Sequence, residues 1–521
     1  MIDTSVIRRL SDIARVQAIQ RPQAVAIVQD GHAATFEALE RASNQVAHAL
    51  LNEGVAPGDR VCILAKNSSR FFELFFGAAK ARACLTPINV RLAGPEIAYI
   101  LADSKARLLF VGEEFFEIAE RIVAASEAPV KVIALAGAPA SAPGFESWRS
   151  GHSDADPALP ERDDDDVLQL YTSGTTGHPK GVMLSNANYS QAMAIVGRVE
   201  GFDYQPDDAV LVVMPLFHVA GFNASAFTLA SGGRVILLAD FSPDGVLETI
   251  ERSSVAYTLL APAMILMLLQ SARLPQTDVS TLKVISYGAA PISEDVLNRA
   301  KTAFGCGFAQ FYGMTETLGA GAHLAPSDHA LPGKLRSCGR ALEGIEVAVF
   351  GSDGARTPIG EVGEIAIKGG VLMKGYWNRP EATAATIRDG WLFTGDAGIQ
   401  DDDGFFYIHD RMKDMIISGG ENVYPAEVEN AIFGAPGVAD VAVIGVPSER
   451  WGEEVKAIVV AEPGTAPDPA AIIAWARERI AGYKAPRSID FIDVLPRNAS
   501  GKVLRKDLRE QYWAGLDRRI S

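Results

Sequence analysis

The feature that most limits the fold is an alternation of strand-like and helix-like segments over the first 300 residues. The segment "AVAIVQDG" predicts a strand ending in a turn, and Phe36, Leu39, Val46 and Leu50 then recur at helical spacing. The segment "GDRVCILA" predicts a second strand, and "SRFFELFFGAAKARA" predicts a helix that is apolar over most of its surface and therefore buried. Such alternation predicts an α/β architecture with largely parallel sheets.

The chain is expected to form more than one domain, because 521 residues exceed the usual size of one. Residues 335–410 are richer in strand and turn patterns and predict a small β-rich subdomain. After "DRMKD" a helix, two strands, a helix and a basic tail follow, so we place the main boundary there, giving domains 1–411 and 412–521. The run "ERDDDD" (161–166) predicts a solvated connection.

Composition excludes several classes of protein. The formal net charge of −16 argues against nucleic-acid binding, although nine Lys and Arg face five Asp and Glu from Gly482 onward. The four cysteines lack CxxC spacing, which excludes a disulfide scaffold or zinc knuckle and favours a reducing, cytoplasmic location. The N-terminal residues do not resemble a signal peptide. The most apolar window, "AYTLLAPAMILMLLQ", is too short to span a bilayer and predicts a strand running into a helix with Pro262 in its first turn.

The stretch "YTSGTTGHPKG" (171–181) indicates a phosphate-binding loop. Its glycines let backbone N–H groups turn inward, its hydroxyls donate hydrogen bonds, and Lys180 adds a cation. It is not a Walker A loop, because Pro179 stands where that motif needs glycine. The alternative is a polar surface loop without a ligand.

A second stretch, "QFYGMTET" (310–317), combines an aromatic ring, a glycine, a hydroxyl and an acid. Tyr312 can stack on a base, Thr315 can bond a phosphate oxygen, and Glu316 can ligate Mg²⁺, which prefers carboxylate oxygen. Taken alone, each residue also fits an ordinary structural role.

Three further stretches follow. In "GWLFTGDAG" (390–398) Asp396 stands in a glycine turn suited to ribose hydroxyls. The segment "DRMKDMIISGGENVYPAEVE" (410–429) changes from charged to apolar and then has a double glycine before a helix start. In "PRNASGKVLRKDLR" (496–509) Lys502 follows Ser500 and Gly501. A turn acid, a linker and a solvated lysine are the structural alternatives.

Taken together, in this order and spacing, the five motifs resemble those of acyl- and aryl-CoA synthetases of the adenylate-forming superfamily, and the resemblance covers essentially the whole chain. It implies a large N-terminal domain of stacked α/β sheets with a β-rich subdomain, and a small, mobile α+β C-terminal domain. It also implies that the C-terminal domain rotates between adenylation and thioester formation.

The resemblance implies a role for each matching position. The loop 171–181 closes over the β- and γ-phosphates of ATP, and the stretch "GAAP" (288–291) lines the adenine, on which Tyr312 stacks. Thr315 and Glu316 contact the α-phosphate and Mg²⁺, with Thr172 near the metal. Asp396 and Arg411 hold the ribose. Lys413 is the hinge, Gly419 and Gly420 line the pantetheine tunnel, and Lys502 catalyses adenylation. The predicted nucleotide-binding residues are Thr172, Ser173, Gly174, Thr175, Thr176, Gly177, Lys180, Gly288, Ala289, Ala290, Pro291, Tyr312, Gly313, Thr315, Asp396, Arg411 and Lys502, with Lys502, Glu316, Thr315 and Lys180 as the catalytic set.

The acyl pocket is predicted in "MPLFHVAGFN" (214–223) and "TLGAGAHL" (317–324), with His218, Val219, Gly221 and Gly319 as its residues. Neither segment has an acid to pair with an ammonium or an arginine to neutralise a second carboxylate, which argues against amino acids and diacids. The small residues Ala220, Gly221, Gly319, Ala320 and Gly321 would leave room for a chain or a ring. The alternative for His218 is a core histidine that caps a strand end.

Two functions remain open. The first is a CoA ligase for a neutral fatty or aryl monocarboxylate, with Mg²⁺ as cofactor and ATP, CoA and the acid as binding partners. The second is a stand-alone adenylating enzyme that loads a carrier protein, or a paralogue that only binds nucleotide. The presence of Lys502 and Glu316 disfavours loss of catalysis. We expect no nucleic-acid partner and no transmembrane segment, and leave a homodimer open.

Overall fold

The computed structural model describes residues 2–137, 139, 141–172, 179–290, 292–411, 414–418, 421–448, 450–498 and 501–514. Several predicted site residues lie outside these ranges, namely Ser173, Gly174, Thr175, Thr176, Gly177, Pro291, Lys413, Gly419 and Gly420.

The strands are β1 (Val25–Gln29), β2 (His32–Thr35), β3 (Arg60–Leu64), β4 (Cys84–Pro87), β5 (Leu108–Val111), β6 (Lys131–Ala134), β7 (Asp166–Thr172), β8 (Lys180–Ser185), β9 (Ala209–Val212), β10 (Arg234–Leu237), β11 (Tyr257–Leu260), β12 (Val284–Gly288), β13 (Gly307–Tyr312), β14 (Ala322–Leu324), β15 (Arg340–Ala341), β16 (Glu346–Phe350), β17 (Gly363–Lys368), β18 (Gly375–Tyr376), β19 (Ile387–Arg388), β20 (Trp391–Gln400), β21 (Phe406–Arg411), β22 (Ile416–Ser418), β23 (Glu421–Val423), β24 (Val438–Ser448), β25 (Gly452–Ala461) and β26 (Ser488–Phe491).

The helices are α1 (Leu10–Gln20), α2 (Phe36–Asn52), α3 (Arg70–Lys80), α4 (Gly94–Ser104), α5 (Phe116–Ala124), α6 (Phe145–Ser150), α7 (Asn186–Val196), α8 (Val219–Ala230), α9 (Pro243–Ser253), α10 (Pro262–Gln270), α11 (Glu294–Phe304), α12 (Pro380–Thr386), α13 (Pro425–Phe433), α14 (Pro469–Arg477) and α15 (Arg505–Glu510). Short 3₁₀ turns occur at Glu113–Phe115, Leu274–Gln276, Thr315–Thr317 and Asp328–Ala330. No helix in the described part of the chain has both the length and the apolar composition to cross a bilayer.

Two large sheets dominate the fold, and both are parallel at the centre. One has the order β15-β14-β13-β12-β11-β9-β10-β1-β2, with antiparallel pairs at its two edges. The other has the order β18-β8-β7-β4-β3-β5-β6, in which β7, β8 and β18 pair antiparallel. The predicted α/β architecture with largely parallel sheets is therefore confirmed.

The main core contains strands of both large sheets together with helices α1, α2, α3 and α8. Helices α2 and α3 pack closely at Gly77, where an added Cβ would lie 2.4 Å from Cγ1 of Val46 and 2.8 Å from the carbonyl oxygen of Ser43. The Phe75 ring meets that of Phe222 in α8 at 4.6 Å. The sequence prediction of a buried helix at α3 is thus confirmed.

Two smaller sheets follow along the chain. The first has the order β16-β17-β20-β19, with β21 paired to β20, and occupies the segment predicted to be β-rich. The second has the order β23-β22-β25-β24, with β26 paired to β25, and packs against α13 and α14 through its own apolar core. The mixed α/β fold with a C-terminal α+β unit is confirmed, and the boundary at 411/412 stays a prediction.

The prediction that "ERDDDD" is a solvated connection is correct for Arg162, Asp163 and Asp164, which are exposed, and wrong for the residues on either side of them. Glu161 is buried and accepts a hydrogen bond from Ser11 Oγ at 2.5 Å. Asp165 pairs with Arg82 at 2.8 Å, and Asp166 begins β7 and pairs with Arg60 at 2.7 Å. Because arginines from distant segments compensate Glu161, Asp165 and Asp166, the two ends of this charged run can be accommodated in the fold.

Candidate active site

Glu316 joins three segments of the chain. It lies in the 3₁₀ turn Thr315–Thr317 after β13 and is 5% exposed. Its Oε1 accepts a hydrogen bond from the Tyr376 hydroxyl at 2.9 Å and one from Thr172 Oγ1 at 3.4 Å. The predicted neighbourhood of Glu316 and Thr172 is therefore present, although no feature of the sequence pointed to Tyr376.

Thr172 and Lys180 flank the predicted phosphate loop. Thr172 ends β7, Lys180 begins β8, and the two residues are paired across the strands. The Lys180 Nζ lies 4.9 Å from the centre of the Tyr376 ring. A hydroxyl, an ammonium and the Glu316 carboxylate are thereby gathered around one tyrosine.

Tyr312 and Asp396 are held together directly. The buried Tyr312 hydroxyl donates to Asp396 Oδ2 at 2.7 Å. Burial, reinforced by the Asp396 charge, raises the Tyr312 pKa well above its ordinary value, so the phenol stays a donor. Asp396 pairs with Arg411 across β20 and β21, which places both predicted ribose-binding residues side by side. The stacking role of Tyr312 stays a prediction.

The turns beside Tyr312 require small residues. A Cβ on Gly313 would lie 2.3 Å from the carbonyl carbon of Gly319, and one on Gly288 would lie 2.6 Å from the carbonyl oxygen of Phe311. Ala289 has a φ of 66°, which is in the left-handed region that alanine rarely adopts. Backbone therefore approaches backbone closely where the nucleotide base is predicted to bind.

Lys502 lines a cleft that separates the N-terminal part from the C-terminal part. Ala290 and α10 form one wall, α13 and Lys502 form the other, and the cavity measures about 120 Å³. A Cβ on Gly501 would lie 3.2 Å from the Ala261 Cβ, so this turn sits against the start of α10. The structure thus brings Lys502 to the segment predicted to line the adenine.

One ion pair and two hydrogen bonds stabilise the turn that carries Lys502. Arg497 donates to the carbonyl oxygen of Gly501 at 2.8 Å and pairs with Asp440 at 2.6 Å. The backbone N–H of Lys502 donates to Asn498 Oδ1 at 2.9 Å.

His218 caps a helix rather than a strand end. It precedes α8, and its Nδ1 accepts a hydrogen bond from the Ala220 N–H at 3.3 Å. Burial lowers the His218 pKa to about 4, so the ring is neutral near pH 7. The predicted substrate-side role stays a prediction, and the strand-capping alternative is wrong.

The small residues of the predicted acyl pocket differ in what they do. A Cβ on Gly319 would have only Val219 Cγ1 near it, at 4.0 Å, so this position borders space next to Val219. A Cβ on Gly221 would lie 2.4 Å from the carbonyl oxygens of Met214 and Pro215, and one on Gly321 would lie 2.7 Å from Ile367 Cδ1. The expectation that Gly221 and Gly321 leave room for substrate is therefore wrong, because close packing takes that space.

Asn223 lies in the segment predicted to form the acyl pocket, but sequence reasoning gave it no role of its own. Its Nδ2 donates to the carbonyl oxygen of Leu318 at 2.8 Å, and its Oδ1 accepts from the Tyr189 hydroxyl at 3.2 Å. Leu318 directly follows the turn that carries Glu316 and has a left-handed φ of 54°. Asn223 therefore ties α8, and with it the predicted acyl pocket, to the Glu316 turn.

The oxygen atoms at Glu316 and Thr172 suit Mg²⁺, which binds proteins through one or two carboxylates and completes its shell with phosphate oxygens and water. In the described residues no group of three or more His, Cys, Asp or Glu could hold a metal alone. A cation here would need the phosphates of a nucleotide as further ligands.

Family models match most of the chain. The model described as "AMP-binding enzyme" matches residues 14–377, and the one described as "AMP-binding enzyme C-terminal domain" matches residues 427–502.

Relatives of known function match over nearly their full length. A fatty acid–[acyl-carrier-protein] ligase of Streptomyces coeruleorubidus is 39% identical over 97% of this chain and 96% of its own. A feruloyl-CoA synthase of an Amycolatopsis species is 40% identical over 95% of this chain and 97% of its own. Among solved structures, the anthranilate CoA ligase AuaEII in complex with anthranoyl-AMP has a TM-score of 0.91 at 28% identity, covering 97% of both chains.

Proposed function

The chain belongs to the AMP-binding enzyme family and is an AMP-forming acid–thiol ligase, and we propose that it converts a neutral fatty or aryl monocarboxylate into its CoA thioester. The observation that carries the proposal is the meeting of Thr172, Lys180 and Glu316 around Tyr376.

The reaction needs two steps because a carboxylate is a poor electrophile. In the first step a carboxylate oxygen attacks the α-phosphorus of ATP, the bond to pyrophosphate breaks, and an acyl-adenylate forms. In the second step the sulfur of CoA, having lost its proton to solvent, attacks the acyl carbonyl, and AMP leaves with the former carboxylate oxygen. Binding groups placed before the reaction stabilise the charge that develops on the α-phosphate.

We assign the nucleotide contacts to the residues that the structure gathers. Lys180 and the Thr172 hydroxyl face the phosphates, Thr315 the α-phosphate, and Asp396 with Arg411 the ribose. Glu316 and Thr172 would hold Mg²⁺, which would neutralise phosphate charge when bound. Lys502 stands in the cleft beside Ala290, which supports its assignment to the adenylation step.

The acid is proposed to be neutral and without an amine. The segments 214–223 and 317–324 contain no Asp, Glu, Lys or Arg that could pair with a second charged group on the substrate. His218 does not provide a cation near pH 7, since burial lowers its pKa to about 4.

A carrier protein is the second candidate for the thiol. One relative, 39% identical over 97% of this chain, is named as a fatty acid–[acyl-carrier-protein] ligase. Both acceptors present a phosphopantetheine thiol, so the same two chemical steps serve either.

We further propose a boundary at 411/412 with Lys413 as the hinge, and Gly419 and Gly420 at the pantetheine. We also propose a cytoplasmic location, which the four free cysteines support. A homodimer is left open.

The proposal is tested by incubating the purified protein with ATP, Mg²⁺ and single carboxylates: a fatty-acid series, aryl acids, a diacid and an amino acid. AMP release is measured without an acceptor, with CoA, and with a holo acyl-carrier protein. We expect AMP release with a neutral acid that depends on CoA. Turnover with the carrier protein alone would favour the second candidate, and no AMP with any acid would contradict the proposal.

A further inference from the structure

Asp103 contacts three groups at the end of α4. Its side chain, 11% exposed, accepts a hydrogen bond at Oδ2 from the Tyr171 hydroxyl at 2.7 Å. Its Oδ1 accepts one from Arg379 Nη2 at 2.9 Å, and its backbone oxygen accepts one from Trp377 Nε1 at 2.9 Å. None of these residues belongs to the nucleotide contacts assigned above.

These contacts connect Asp103 to β7 and β8, the two strands that flank the predicted phosphate-binding loop. Tyr171 directly precedes Thr172 in β7, and it pairs with Gly181, which directly follows Lys180 in β8. The backbone N–H of Trp377 donates to the carbonyl oxygen of Gly181 at 2.7 Å. Asp103 thus holds one strand through the Tyr171 hydroxyl and the other through Trp377.

Close packing makes this arrangement specific. A Cβ on Gly181 would lie 3.1 Å from Tyr171 Cζ, so the tyrosine ring lies across the glycine. The Arg60 guanidinium lies 3.5 Å from the centre of the Trp377 ring and donates to Gln169 Oε1 at 3.0 Å. The face of the Trp377 ring is therefore braced by a residue that is also bound to β7.

We propose that Asp103 is a positioning residue that holds Thr172 and Lys180 in register for the phosphates of ATP. The inference rests on the proposed function, because it assumes that these two residues bind ATP.

The test changes one functional group of this network at a time. Tyr171→Phe deletes the hydroxyl, and Asp103→Asn keeps the shape while removing the charge. Tyr407→Phe is the matched control, since the Tyr407 hydroxyl donates to Asp401 at 3.0 Å in a hairpin of the β-rich segment. Each protein is measured for its Kd for ATP with Mg²⁺ by calorimetry without carboxylate, for the KM of each substrate, and for its thermal unfolding midpoint.

We expect the Kd and KM for ATP to rise about five- to tenfold in Tyr171→Phe. This is less than the roughly 10- to 150-fold effect of losing a hydrogen bond to a charged group directly, because the Tyr171 hydroxyl acts on ATP only through Thr172 and Lys180. The KM values for the acid and CoA, and kcat, should stay near those of the wild type. The double variant Tyr171→Phe/Asp103→Asn should be little worse than Asp103→Asn alone, because the hydroxyl that Tyr171→Phe removes donates to the Asp103 carboxylate that the other change has already neutralised.

An ATP affinity of Tyr171→Phe equal to that of the Tyr407→Phe control would overturn the inference, as would an equal rise in all three KM values. Should Asp103→Asn fail to fold, Tyr171→Phe alone decides. If the wild type binds ATP but activates no acid, the proposed function is wrong. The comparison of the Kd for ATP between Tyr171→Phe and Tyr407→Phe still tests the positioning role of Asp103 in that case. A wild type that does not bind ATP overturns both.

Discussion

In Glu316, a single carboxylate oxygen accepts the hydrogen bonds of two hydroxyl groups. The donors are Tyr376 at 2.9 Å and Thr172 at 3.4 Å, and both meet Oε1. In the described residues no hydrogen bond involves Oε2, and it is through this atom that Glu316 would hold the proposed Mg²⁺.

Glu316→Gln should therefore keep the Oε1 contacts while turning an amide N–H toward the metal. We expect the Mg²⁺ concentration for half-maximal activity to rise at least about tenfold, because an amide nitrogen cannot ligate a hard cation. Activity is titrated with Mg²⁺, and the thermal unfolding midpoint is measured alongside.

Glu161→Gln is the contrasting control, since the buried Glu161 side chain also accepts a hydrogen bond from a hydroxyl, that of Ser11, and its other partner, Arg15, is not a predicted site residue. The Glu161→Gln protein should have a lower thermal unfolding midpoint than the wild type, but its activity should depend on the Mg²⁺ concentration in the normal way. The reverse pattern, an unstable Glu316→Gln protein with normal Mg²⁺ dependence, would make Glu316 structural.

Two histidines, the half-buried His218 and the buried His323, make the free energy of unfolding depend on pH. Burial lowers the pKa of both His218 and His323 to about 4, whereas an unfolded histidine titrates near 6.5. Between these values the unfolded chain takes up protons that the folded protein does not, so the free energy of unfolding should fall as the pH falls from about 6.5 toward 4.

Urea unfolding at several pH values in this window measures the effect. In a His323→Phe variant the slope of stability against pH should be shallower than in the wild type. His32→Gln, a change at an exposed residue of β2, serves as control and should leave the slope unchanged. An unaltered slope in His323→Phe would show that this histidine does not contribute.

Residue chemistry was predictable where it lies within a motif and unpredictable where it depends on contact between distant segments. The placement of Thr172 next to Glu316 and of Asp396 next to Arg411 agrees with what the motifs implied. Tyr376 reaches the site only through tertiary pairing, and no local pattern marks it. Asn223 lies in a predicted segment, but its contact with Leu318 depends on a tertiary pairing that the segment does not reveal. Gly221 was misread because a glycine that admits substrate and one that admits neighbouring backbone are identical in sequence.

At the scale of elements, the contact between α2 and α3 depends on one glycine. A methyl group at Gly77 would overlap Val46 Cγ1 at 2.4 Å and the Ser43 carbonyl oxygen at 2.8 Å. Gly77→Ala should destabilise the protein by about 1–3 kcal/mol despite the better helix propensity of alanine, because the added methyl group can be accommodated only by displacing the backbone of α2.

Gly151→Ala is the matched control: Gly151 also has a negative φ, and nothing lies within 4 Å of its added Cβ. Its unfolding free energy should change by less than about 0.5 kcal/mol. Equal stability of the two variants in urea unfolding would show that α2 and α3 adjust easily.

Element type was readable from the sequence because periodicity reports burial, as with α3 and with the strand and helix β11 and α10 around Pro262. Element pairing was not. Whether the acids of "ERDDDD" meet solvent or arginine depends on Arg60, Arg82 and Arg15, which stand about 80 to 150 positions earlier.

At the scale of the whole molecule, Lys502 reaches the N-terminal part across the cleft beside Ala290. Lys502→Ala should lower the rate of acyl-adenylate formation by orders of magnitude, because a positioned cation that stabilises developing charge is lost. Conversion of supplied acyl-adenylate into thioester should be nearly unchanged. Measuring the two half-reactions separately checks this, and an equal loss in both would contradict the division of labour.

The domain rotation itself stays a prediction, since Lys413, Gly419 and Gly420 lie outside the described residues. Proline fixes φ and removes a backbone donor, so Lys413→Pro should hold the two domains in one relative orientation. We expect adenylate formation to persist at least in part and thioester formation to collapse. Thioester formation at the wild-type rate would rule out rotation about Lys413.

Both large sheets are completed by strands that are far apart in the chain, and this affects synthesis. In one sheet Ile27 of β1 pairs with Val235 of β10, and in the other Val182 of β8 pairs with Tyr376 of β18. At translation rates of about 5–20 residues per second, roughly 10–40 s pass before each waiting strand meets its partner. During that interval the nascent chain exposes unpaired strand edges that other chains can join. The chain must therefore be synthesised as far as Val235 before β1 can pair with β10, and as far as Tyr376 before β8 can pair with β18.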